Sequence, residues 1–181
     1  MRDDTPIIEV AARVDSGGSM IFESRQPYDP QRIRAAAIYC SDGRFGAHCD
    51  DFLHHGLNLP RYDRLVIPGG PGNLAGHFMV YREGEAIAQQ LQFLIEAHGL
   101  ERVVLIGHEG CAFYTHRLYI APADLMERQR VDLAKAAERV RSISPNLAVE
   151  AFMALQRQGR IVFEASPSAA APRCQAGIAQ A

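Results

Sequence analysis

Apolar residues fall along the chain in short, nearly unbroken runs separated by glycine- and proline-rich breaks. "IRAAAIY" at 33–39, "RLVIP" at 64–68, "RVVLIGH" at 102–108 and "RIVFEA" at 160–165 are too short for helices, and the third is an almost pure Val/Leu/Ile run. Runs of this kind read as strands covered on both faces. Between them the period changes. Ile87, Leu91, Leu94 and Ile95 recur at helical spacing from Glu83 to His98, and Gly99 supplies the stop. "FGAHCDDFLHHG" reads as a short helix closed by Gly56, and residues 122–142 read as another. Ser144 and Pro145 read as the N-cap and first turn of a further helix ending at Gly159. The alternation predicts an α/β fold, a small, mainly parallel sheet of about four strands flanked by helices.

The chain ends are different in character. Residues 1–30 carry a Ser-Gly-Gly turn and the proline-broken "QPYDPQ", and read as an N-terminal arm; 166–181 are poor in large apolar residues and read as a flexible tail. That leaves 31–165 as a single α/β domain, as expected for 181 residues. A net charge of -2 without a basic block argues against nucleic acid. No run approaches the ~20 apolar residues of a membrane span, and the N-terminus lacks a signal-peptide pattern, so the expected location is cytoplasmic. Cysteines 40, 49, 111 and 174 are too few and scattered for a disulfide framework, which leaves free thiols or metal ligands.

The chemistry gathers at strand ends. Cys40 closes the first strand pattern, and "GHEGC" sets His108 and Cys111 just past the third. In open parallel sheets, sites form outside the carboxyl ends of strands. Two thiolates and an imidazole with a fourth place vacant is the ligand set of a catalytic zinc ion. Asp42 and Arg44 follow Cys40 in "CSDGR": beside a metal they form a carboxylate clamped by a guanidinium, and without one an ordinary turn salt bridge. Other patterns carry less. Gly70, Gly72 and Ala75 form G-x-G-x-x-A after a strand, but Pro71 stiffens the loop and helix is predicted where an acidic strand end is needed. Cys40 and Arg44 enclose three residues, not the five of a Cys phosphatase loop. His48, Asp51 and His55 read as a solvated helix face, and Cys49 as a packed thiol. Phe113, Tyr114 and Tyr119 read as pocket or interface residues.

"CSDGR" followed by "HEGC" resembles the two signature motifs of the β-class carbonic anhydrases, Cys-x-Asp-x-Arg and His-x-x-Cys, over about residues 31–165. The resemblance implies that Cys40, His108 and Cys111 bind Zn2+ and that Asp42 and Arg44 are the catalytic pair. It implies reversible hydration of carbon dioxide to bicarbonate by a zinc-activated hydroxide, a mainly parallel sheet, and a homodimer or tetramer. Gln31 stands where many members carry a substrate-orienting glutamine, and Gly72 and Asn73 match part of a Gly-Asn segment near the substrate. Two departures stand out: "PGGPGN" lacks the arginine of the family's Arg-Asn-x-Gly-Asn-like segment, and Gly43 replaces a small side chain within the pair. They keep open two alternatives, a zinc hydrolase of carbonyl sulfide or carbon disulfide and a non-catalytic zinc-binding relative.

Overall fold

The structure is a computed structural model and describes residues 22–166. The chain divides into two units, Met1–Gln31 and Arg32–Ala181. Most of the expected arm (1–21) and nearly all of the tail (167–181, with Cys174) lie outside the described residues. In the first unit residues 22–31 form neither helix nor strand, and the Gln31 N–H donates to Asp29 Oδ1 at 2.9 Å.

The second unit is built on β1 (Ala35–Cys40), β2 (Asp63–Ile67), β3 (Arg102–His108), β4 (Ala148–Arg157) and β5 (Arg160–Ala165), in the order β2-β1-β3-β4-β5. The first four are parallel, and β5 runs antiparallel to β4. Helices α1 (Gly43–Asp51), α2 (Tyr81–His98), α3 (Ala112–His116) and α4 (Leu125–Ile143) connect the strands, and α1 runs on into a π-helical turn at Phe52–Gly56. Among the described residues no helix is long and apolar enough to cross a membrane.

Two expectations are corrected. The sheet has five strands rather than four, and the helix expected from Ser144 to Gly159 is strand β4. Ala, Glu, Met, Leu and Gln in "LAVEAFMALQ" favour helix locally, but propensity is worth only tenths of a kcal/mol per residue and tertiary pairing overrides it. Val149, Ala151, Met153 and Leu155 alternate at period two and are all buried. Gly159 ends no helix: with Gln158 it forms the two-residue hairpin turn between the paired Arg157 and Arg160, both turn residues having positive φ.

Strand alternation supplies both faces of the core. Ala36, Ile38, Val103, Leu105 and Met153 pack under α2 and α4 against Leu91, Leu133 and Val140. Ala37, Tyr39, Val104 and Ile106 face α1 through Phe45, Cys49 and Leu53. Val103, Val104, Leu105 and Ile106 are at most 1% exposed, so each contributes about 1.5–3 kcal/mol of apolar burial. The chain leaves β1 toward β2 on one side and β3 lies on the other. The carboxyl ends of β1 and β3 therefore flank the crevice that such a reversal opens.

Candidate metal centre

Cys40 is the last residue of β1 and His108 the last of β3, so the parallel register delivers both to this crevice. Cys111 follows at the N-terminus of α3. One ligand atom from each lies within 4.8 Å of the others, and all three residues are buried. The sulfurs are 3.8 Å apart, and the Gly69 N–H donates to Cys40 Sγ at 3.3 Å. The pair shares charge unequally. Its bond from Cys111, with help from His108 and the Asp42 and Gly69 amides, holds the Cys40 thiol well below the usual thiol range. The same bond and burial push the Cys111 thiol up.

His108 is pre-set as a ligand. Its Nδ1 lies 2.9 Å from the Glu109 carbonyl, which only accepts, so Nδ1 carries the proton and Nε2 carries the free lone pair. Nε2 is buried without a partner. An orphaned imidazole nitrogen beside two thiols fits a borderline-soft ion of the zinc class, and the Nδ1 bond is the outer contact that fixes a ligating ring. Phe45 packs on the ring at a centroid distance of 4.2 Å. A cavity of about 10 Å³, the size of one water, lies among Cys40, His108, Cys111, Tyr114 and Gln129.

Asp42 caps α1, accepting from the Arg44 amide at 3.0 Å. Its carboxylate also takes Arg44 Nε at 3.0 and 3.2 Å and NH2 at 2.6 Å. The guanidinium holds the Asp42 carboxyl down at about 2. The carboxylate is therefore an acceptor in fixed orientation, two residues from Cys40.

The "PGGPGN" loop serves the centre by close approach. Gly70 has φ +50°, and a Cβ there would lie 2.7 Å from the Cys40 backbone nitrogen; one on Gly72 would lie 2.4 Å from the Tyr114 hydroxyl. Asn73 braces the turn, its Nδ2 donating to the Pro68 and Gly70 carbonyls at 2.8 and 3.0 Å. Of the residues singled out from sequence, Cys40, Asp42, Arg44, Gly72, Asn73, His108 and Cys111 thus belong to one end of the sheet, while Gln31 belongs to the first unit. Phe113 and Tyr114 are buried, whereas Tyr119 is exposed.

Sequence reasoning missed the support behind the centre. Buried Gln129 donates to the His108 carbonyl at 2.7 Å. Beside it, fully buried Asp132 meets His77 Nε2 at 2.6 Å and Arg128 Nε at 3.1 Å, while Arg128 NH2 lies 3.0 Å from His77 Nδ1. The available signal was a glutamine on the apolar stripe Gln129, Leu133, Ala136 and Val140 of α4.

A family model described as "Putative carbonic anhydrase" matches residues 31–160. Three solved structures resemble the fold at low identity. The beta-carbonic anhydrase isoform I of Trichomonas vaginalis is 15% identical, with 78% of this chain and 87% of that chain covered and a TM-score of 0.49. A carbonic anhydrase from Glaciozyma antarctica is 17% identical, over 74% and 83%, at 0.48. The beta-carbonic anhydrase CafA of Aspergillus fumigatus is 13% identical, over 78% of each chain, at 0.48. Comparison with curated protein sequences finds no match.

Proposed function

From the chain's membership of the carbonic anhydrase family, whose model spans residues 31–160, we propose that it is a zinc enzyme interconverting carbon dioxide and bicarbonate. The observation that carries this reading is the buried, unpartnered His108 Nε2 facing two thiols at the carboxyl ends of β1 and β3. Cys40, His108 and Cys111 would hold the ion. Bound there, zinc would lower the pKa of water from 15.7 to about 7.

The chain's own groups then have separate tasks. Asp42 accepts a hydrogen bond from the attacking water and aims a lone pair at the carbon of the substrate. Arg44 occupies both carboxylate oxygens, which keeps Asp42 from turning into a metal ligand itself. Gly72 and Asn73 shape the wall beside Cys40 and Tyr114, and Gln31 is assigned to orienting the substrate. The reading includes a cytoplasmic homo-oligomer, dimer or tetramer, with no nucleic-acid partner.

The test is stopped-flow hydration of carbon dioxide by protein reconstituted with zinc, with metal counted by elemental analysis. The expected result is about one zinc per chain and catalysis well above the uncatalysed rate. Absence of zinc after reconstitution would refute the centre. Bound zinc with hydrolysis of carbonyl sulfide or carbon disulfide, and none of carbon dioxide hydration, would transfer the site to the related substrate.

A further inference from the structure

We infer that His48 relays the proton of the reaction proposed above, an assignment that rests on that reading. Hydrating one carbon dioxide forms one C–O bond from water and yields one bicarbonate and one proton. Each cycle therefore needs a base that takes this proton and releases it to solvent. The groups nearest the centre are unsuited to this. The Asp42 carboxyl, held at about 2 by Arg44, carries no proton at neutral pH, and Arg44 does not give its own up. Cys40, His108 and Cys111 are committed as ligands. Burial pushes the Cys49 thiol up to about 12.

A groove of about 470 Å³ opens beside the centre, lined by Arg44, Phe45, His48, Glu109, Gln156 and Ile161 among others. Its wall reaches the centre directly, because Phe45 packs on the His108 ring. Arg44 and His48 are four residues apart on α1, which puts them on one helix face with Cβ atoms about 5–6 Å apart. His48 is exposed. The charged groups sharing its groove are Arg44 from its own helix and Glu109 from the loop after β3. Glu109 is engaged at 3.1 Å by Arg157 of β4.

The other histidines are placed elsewhere. His77 is tied to Asp132 and Arg128, His98 pairs with Asp63 at 2.6 Å, and His54 and His55 sit on the π-helical turn beyond α1. His116 lies on α3 and is not among the groove residues. Histidine is the side chain that both takes up and releases a proton near neutrality. In this position it receives the proton through water in the groove and passes it to a buffer base.

The experiment measures carbon dioxide hydration by zinc-loaded parent, His48→Ala and His48→Gln proteins in weak buffer and at saturating 1,2-dimethylimidazole. In weak buffer both variants are expected to lose kcat on the order of 10²-fold, the low end for a positioned acid–base group, with kcat/KM and zinc content unchanged. The imidazole buffer should restore kcat. In the parent, the pH midpoint of kcat should coincide with the His48 ring titration followed by NMR. Unchanged kcat in an active parent's variants, equal falls in kcat and kcat/KM, or failure of buffer rescue would overturn the relay alone. An inactive parent that binds zinc would overturn the hydration reading and the relay with it.

Discussion

Replacing Gly72 by alanine tests how tightly the glycine loop is packed around the centre. The added Cβ would stand 2.4 Å from the Tyr114 hydroxyl oxygen and 3.0 Å from the ring carbon bearing it, where ordinary contact begins near 3.4 Å. Something must therefore move by about 1 Å, a displacement that packed interiors resist. Tyr114 has little room: it is 4% exposed, stands edge-on to Phe113 at 5.5 Å, and is drawn toward the buried Asp132 carboxylate. Overpacking of this kind costs about 1–3 kcal/mol. Gly72 does not have positive φ, so the cost belongs to the contact and not to backbone strain. Tyr114→Phe removes the closest atom, at the expense of its own bond to Asp132, worth about 1–3 kcal/mol if the carboxylate is left short of a donor. Urea unfolding of the metal-free parent, both single variants and the double variant forms a closed cycle. Gly72→Ala should cost at least ~1 kcal/mol less when combined with Tyr114→Phe than alone, within the usual range for residues in contact. An equal cost in both backgrounds would refute the packing argument. Tyr114 also lines the cavity with Cys40, His108 and Cys111, so competitive zinc titration should show weaker binding in Gly72→Ala.

Three further outcomes are expected. Arg44→Ala and Asp42→Asn should each retain zinc by elemental analysis and lose hydration activity on the order of 10²-fold, since misplacing an orienting group by about 1 Å has that effect; full activity in Arg44→Ala would remove the clamp from the mechanism, and zinc loss there would make it a brace for Cys40. Burial raises the Cys49 thiol from its ordinary 9.0 to about 12, so between those values the folded chain keeps a proton that the unfolded chain has lost. Stability should fall as pH rises through that window, by up to about 1.4 kcal/mol per pH unit, and Cys49→Ala should flatten the slope in denaturant titrations at pH 9–11. Phe78, Met79 and Tyr81 are 96%, 57% and 58% exposed in one short stretch, and sedimentation velocity should find a dimer or tetramer; an active monomer at micromolar concentration would contradict that assembly.

Local chemistry made much of the centre readable before any coordinates. Cys40, His108 and Cys111 close runs whose apolar continuity already marks them as strands, and Asp42 and Arg44 are neighbours in the chain, so their pairing needs no tertiary information. The helices at 81–98 and 125–143 were legible for a similar reason, a 3.6-residue period sustained over several turns. Strand β4 was not, because its side chains favour helix and its strand state is stabilised by hydrogen bonds to β3 on one side and β5 on the other, partners that its own residues do not announce. Only the tertiary structure decided how the centre is supported. The Gly69 amide reaches Cys40 across 29 residues, Gln129 reaches the His108 carbonyl across 21, and His77 reaches Asp132 across 55. A sequence pattern records which groups a segment can offer, but a hydrogen bond depends on donor and acceptor meeting within about 3 Å, and that distance is set by the packing of every element between them.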